Sequence, residues 1–558
     1  MKKTRIVLVF LASASLVLAA SPSPIINAMQ SELNRSMKNL EIAGSQRPYF
    51  ISYRICDISK VIVQASLGSL VKSDESHMRN LDVELRVGDY KLDNSNAGND
   101  SWMSTEDYWK YRQIPVDNDT AVIKHRLWLA TDYYYKEALE DYSKKARMIS
   151  LDPDEDKPSD FSREDAANYI GDEVNLAADK ALWQERIRNL SAIFKRYPDI
   201  LISSVALEAN GLNTYFVSSE GSAIQDGQLG FAVIISAFTR SEDGMPTSAE
   251  QRLVLADGGL DSGFLDETVT RMAKTLTDFR NKPTCEAYAG PVLIKASASS
   301  VYLESELAPL FMTQRKLNNS SEGIEKKVGE RVLLPSLNIY DDPTISEYEG
   351  QALAGYYRYD DQGVPAQRVN LVSQGVLKNM LMSRSPSKEF PNSNGHYRSG
   401  KVSAGNLILE SSAPLSERAL ENSLIAECRR LGKPYGLVIS SARLDEGEDA
   451  QTNMVIVDGM VLTTAEGARP TSKFRPLEAY KLYTDGRKEP VRGIEVLSAS
   501  PLSTLNRVIA LGADSRVWTA KNGLSSFVAP SILLSEMEIR KSNKGYQKLP
   551  VIAAPEEM

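Results

Sequence analysis

The chain has 558 residues, 42% of them hydrophobic and 25% charged, with 65 Lys and Arg against 73 Asp and Glu. That balance excludes a disordered or fibrous chain, and the length is too great for one ordinary core, so two large domains are expected. A formal charge of -8 offers no basic surplus for a phosphate-rich partner, so nucleic acid is not an expected ligand.

At the N-terminus Lys2, Lys3 and Arg5 precede the apolar run Ile6 to Ala20, which ends in small residues. This reads as a secretory signal peptide over residues 1–20. Ser21-Pro22-Ser23-Pro24 stops the run short of the ~20 residues a membrane span requires, so no span is expected after cleavage. The expectation is an exported protein, periplasmic or secreted. Cys56, Cys285 and Cys428 are far apart and odd in number, which excludes a disulfide scaffold and allows at most one bridge.

Ile26, Met29, Leu33, Met37 and Leu40 recur at spacings of three and four, predicting an amphipathic helix against a sheet. Strands are predicted at Tyr49–Ile55 and Val61–Leu67, and Leu81, Val83, Leu85 and Val87 alternate with polar residues in a third. A helix over His125–Met148 would offer Trp128, Tyr135 and Leu139 to the core, and a second would run from about Val174 to Arg196. Between them the acidic segment Leu151–Pro158, broken twice by Pro, reads as an exposed loop. Tyr215–Ser218, the Ser219-Glu220-Gly221 turn and a return strand at Gly230–Thr239 form a meander, and Leu265, Val269, Met272, Leu276 and Phe279 mark another helix. That helix ends at Asn281 and Pro283, placing a boundary near 282–289: an α+β N-terminal domain with a curved sheet and packed helices over 21–285, and a β-rich domain over 286–558.

The second half contains Asp341-Asp342-Pro343, then Tyr359-Asp360-Asp361-Gln362-Gly363-Val364-Pro365, then Val369 to Leu377 with a Gly turn. Ser383-Arg384, Gly395-His396-Tyr397-Arg398, Gly405-Asn406-Leu407, Glu478-Ala479-Tyr480 and Pro490-Val491-Arg492-Gly493 follow in order. This succession resembles the TldD/PmbA metallopeptidase family, and Ser218-Ser219-Glu220-Gly221 is similar to the N-S-x-G turn of its first half. The resemblance implies two-subunit particles that enclose a peptide-degrading chamber. Read from the residues alone, Asp360 to Gly363 is a tight turn capped by Asp side chains, with paired carboxylates for acid–base work or a hard cation as the alternative.

Members of the TldD type carry HExxxH on a helix and a Cys near the C-terminus as zinc ligands. Two His at i and i+5 can bind zinc where the helix is locally adapted, with the adjacent Glu activating water. Here the matching segment is Leu303-Glu304-Ser305-Glu306-Leu307-Ala308, so Glu304 is the only retained residue. Leu303 and Ala308 stand at the His positions and Thr519 at the Cys position. His77, His125 and His396 are scattered; His396 is a candidate ligand contact, with a solvated turn histidine as the alternative. Ser297–Ser300 has neither a nearby His nor a nucleophile elbow.

The resemblance therefore implies a metallopeptidase homologue without the zinc cofactor, inactive alone, working as a homo- or hetero-oligomer with an HExxxH-bearing partner. The alternative from another class is a stand-alone binder of a peptide or an envelope polymer. The segment Val301 to Phe311 is predicted to be helical, with Leu303, Leu307 and Leu310 turned inward.

Overall fold

The structure, a computed structural model, describes residues 21–96, 110–151, 158–256, 262–313, 324–445, 454–457, 460–463 and 471–541. Residues 1–20, expected to be a signal peptide, and most of the acidic 151–158 loop lie outside the described residues.

The first half is one seven-stranded sheet clad by helices on one face. Its four central strands, β1 (Pro48–Ser66), β2 (Ser69–Val87), β5 (Ile200–Ser218) and β6 (Ala223–Arg240), pair antiparallel in the order β2-β1-β5-β6. The short β3 (Gln113–Ile114) and β4 (Asn168–Ile170) and the longer β7 (Pro246–Leu255) complete it. The two strands expected at Tyr49–Ile55 and Val61–Leu67 are one continuous β1. Its polar middle, Cys56 to Lys60, stays in register because β2 pairs it on one side and β5 on the other.

Alternation then decides what each face does. Ile51, Tyr53 and Ile55 are buried under helices α1 (Pro24–Asn39) and α2 (Thr120–Leu151). Farther along the same face, Val61, Val63 and Ala65 are buried with Ile187 and Leu190 of α3 (Lys180–Ala192) and Leu265, Val269 and Leu276 of α4 (Ser262–Phe279). In α3 the helix begins at Lys180, later than expected, because Asp179 caps it by accepting the Leu182 N–H at 3.0 Å. Trp128, expected inside, is 43% exposed. The buried stripe of α2 instead runs through Ile123, Leu127, Ala130, Tyr135 and Ala138, which leaves Trp128 on the wet side.

From β8 (Tyr288–Ile294) onward, a six-stranded and a seven-stranded sheet carry the structure. β8 runs parallel to Tyr435–Leu444 and antiparallel to Ile532–Lys541. Both its faces are covered: Val292 and Ile294 lie in the large second-half core, and Leu293 packs with Leu420, Leu424 and Cys428 of the helix Glu417–Arg430. The three cysteines are unpaired thiols. No helix among the described residues is long and apolar enough to cross a membrane.

Candidate functional site

The segment aligned with HExxxH changes helical type twice. Helix α5 (Ala296–Tyr302) passes into a π turn over Leu303–Leu307 and a 3-10 turn over Ala308–Phe311. In the π turn the Ala308 N–H donates to the Leu303 carbonyl, an i→i+5 bond. Such turns are rare and gather at functional sites. This one supplies the local adaptation that an i, i+5 ligand pair requires. Pro309 then tightens the chain, so Phe311 is fully buried while Leu310, expected inward, is half-buried.

Hydroxyls of the Ser297–Ser300 cluster anchor the helix. Ser299 Oγ donates to the Pro530 carbonyl at 2.6 Å and Ser300 Oγ to the Arg516 carbonyl at 2.7 Å. The helix is thereby fixed to the strand Arg516–Thr519 that carries the third aligned position.

At the three aligned positions the side chains do not fit a metal. Leu303 and Ala308 are buried in the second-half apolar core, and Thr519 is buried with a hydroxyl, not a thiolate. Glu304 is engaged elsewhere: its Oε2 accepts the Trp518 indole N–H at 2.6 Å. Glu306 Oε1 accepts from Ser472 Oγ at 2.5 Å, and burial raises its carboxyl above the ordinary range. His77 lies beside Asp57 on the first sheet, and the His125 ring tilts against Trp128 at 5.3 Å. Among the described residues no three His, Cys, Asp or Glu are grouped so as to hold a metal ion.

His396 belongs to a different constellation. It is fully buried rather than solvated, with Nε2 3.1 Å from Asp341 Oδ1 and Nδ1 2.8 Å from the Asn394 carbonyl. Both Asp341 oxygens also accept the Gly405 N–H at 3.1 Å. The ring is thus held at both nitrogens and links Asp341-Asp342-Pro343 to Gly405-Asn406.

Next to it, the Asp360–Gly363 turn docks on the open face of the first sheet. Asp360 Oδ1 accepts the N–H groups of Gln362 and Val364, each at 2.9 Å, and Oδ2 that of Tyr397 at 3.1 Å. Burial outweighs these three donors and pushes the carboxyl up to about 7. Asp361 accepts from Arg54 of β1 at 2.6 Å, and Arg54 also donates to Asp82 of β2 at 2.7 Å. Gly363 has φ +78°, and a Cβ there would lie 2.4 Å from the Phe216 ring of β5, so both conformation and space require glycine.

Arg384 completes this junction, and sequence reasoning did not single it out as a functional residue. It is 2% exposed and pairs with Glu220 at 2.8 Å. Its Nη2 and Nε donate to the Ser162 carbonyl at 2.5 and 3.1 Å, and its guanidinium lies 3.9 Å from the Phe161 ring centre. Only the adjacency of Ser383 and Arg384 was visible beforehand; its partners are 164 and 222 residues away.

Residues 287–541 match the PmbA/TldA metallopeptidase C-terminal domain. A metalloprotease of Methanothermobacter thermautotrophicus is 23% identical over 332 residues, covering 59% of this chain and 65% of that protein. A zinc metalloprotease TldD homolog of Saccharolobus solfataricus is 22% identical over 338 residues, covering 58% and 68%. A metalloprotease of Archaeoglobus fulgidus is 28% identical over 152 residues, and the match spans only 34% of its length. In three dimensions TldE from Thermococcus kodakarensis superimposes with a TM-score of 0.58 at 13% identity, covering 92% of this chain and 100% of TldE. With residues 287–541 matched to the family domain and the α+β fold shared along most of its length, the chain is a homologue of the TldD/PmbA metallopeptidases.

Proposed function

We propose that this chain is an exported, non-catalytic TldD/PmbA homologue that serves as the partner subunit of a zinc-bearing family peptidase. One observation carries the reading: the π turn keeps the i→i+5 backbone while the two residues it aligns are core Leu and Ala. A scaffold preserved around replaced ligands supports a role in assembly and peptide positioning rather than in hydrolysis. Glu304 alone has no activated water to serve, and its hydrogen bond to Trp518 gives it a structural role.

The partner role is tested by capturing the tagged full chain from a native envelope extract and identifying what comes with it. The expected result is an HExxxH-bearing homologue in stoichiometric amount, with peptide hydrolysis by the complex. Recovery of the chain alone, or only as a homodimer holding a peptide or polymer, contradicts the partner role and favours a stand-alone binding protein.

A further inference from the structure

Between the two halves lies a cavity of roughly 110 Å³, enough for several waters or one small polyatomic anion. Four arginines line it, Arg280 at the end of α4 and Arg443, Arg475 and Arg492 from the second half, against two carboxylates, Asp445 and Glu495. In a chain of net charge -8 this concentration of cations is local.

Every charge but one is already paired. Arg280 pairs with Asp199, Arg475 Nε donates to Asp445 at 3.0 Å and Arg492 Nη2 to Asp243 at 2.7 Å, while Glu495 accepts from Arg540 at 2.7 Å. Arg443 is half-buried and has no ion-pair or hydrogen-bond partner among the described residues. Moreover, it stands directly opposite Arg475 in the antiparallel pairing of Tyr435–Leu444 with Phe474–Tyr483. Like charges placed opposite each other are destabilising, and no described carboxylate offsets the charge of Arg443. Arg280 Nε is a buried donor in the same lining without a hydrogen-bond partner among the described residues.

We propose that this cavity binds a small oxyanion, a carboxylate or a phosphate, on the N–H groups of Arg443 with those of Arg280 and Arg475 beside it. The planar fork of arginine suits both groups, and the one positive charge of the lining without a partner among the described residues matches a single negative one. Because the lining comes from both halves, a bound anion ties them together. The inference does not rest on the catalytic reading above.

The test is the thermal midpoint of the full chain in inorganic phosphate, in acetate and in chloride at equal ionic strength, for the wild type and Arg443→Gln. The expected result is a concentration-dependent rise of several degrees in phosphate or acetate over chloride, absent in R443Q. A response to phosphate alone assigns a phosphate-type ligand, and one to acetate assigns a carboxylate. In chloride, R443Q should melt no lower than wild type, since it removes a like-charge pair. Equal responses of the two proteins, no rise over chloride, or a clear loss of stability of R443Q in chloride would each overturn the proposal.

Discussion

Ala308 donates its backbone N–H to the carbonyl of Leu303, five residues earlier, and both side chains are buried in apolar core. Here a backbone turn that brings residues 303 and 308 together carries two apolar side chains. Restoring the donors is therefore a direct probe. Leu303→His, Ala308→His and Thr519→Cys together should create measurable but weak zinc affinity, because partners orienting each imidazole are missing and commonly account for about 10–100-fold. Without metal, the buried imidazoles should lower stability by roughly 1–3 kcal/mol. A zinc titration of the folded triple variant beside wild type reads this; equal, negligible binding would mean that the three positions do not converge.

Arg384 is a buried cation at the junction, paired with Glu220 and with the Ser162 carbonyl. Removing one member of such a pair leaves the other charge buried, so Arg384→Met should cost roughly 3–5 kcal/mol in denaturant unfolding. The double variant R384M with Glu220→Gln should recover part of that loss. A cost below about 1 kcal/mol would show that the two halves are held elsewhere.

Gly363 meets Phe216 with a positive φ. Gly363→Ala should destabilise by about 1–3 kcal/mol from backbone strain alone, with the ring clash in addition. Trimming the ring with Phe216→Ala removes only the clash, so the double variant should be less destabilised than the two single costs summed. Strict additivity in thermal or denaturant unfolding would contradict that contact.

Asp360 predicts a pH dependence. Its carboxyl is pushed up from 3.8 to about 7 by burial, so between those values the folded state holds a proton that the unfolded state releases. Stability contributed by this group is therefore highest below about pH 4 and is lost as pH rises toward 7, by roughly 4 kcal/mol at ~1.4 kcal/mol per unit. Asp360→Asn should flatten that slope. Below pH 5 the variant should be less stable than wild type, since its amide N–H₂ cannot accept from Tyr397, and the gap should close or reverse at pH 8. Unfolding curves across that range that stay parallel for the two proteins would contradict the assignment.

What the sequence disclosed was local periodicity. The α1 stripe was readable because Ile26, Met29 and Leu33 repeat at helical spacing and fall in one core. β1 was split because its middle is polar, and what carries it through is pairing on both sides, a nonlocal effect. Trp128 looked like core by residue type, yet the helix turns Leu127 inward instead. The aligned positions 303, 304, 308 and 519 could be named in advance, but neither the π turn nor the Trp518–Glu304 bond has a sequence signature. His396 was placed in a polar loop, whereas Asp341 buries it from 55 residues away.

The central claim is that this chain keeps a family scaffold whose ligand positions cannot hold zinc. It is tested most directly by metal analysis and peptide hydrolysis on the same purified, folded wild-type sample. The account predicts less than a tenth of an equivalent of zinc, on the order of background, and no hydrolysis that depends on Glu304. One zinc per chain, with hydrolysis abolished by chelation and by Glu304→Gln, would contradict it.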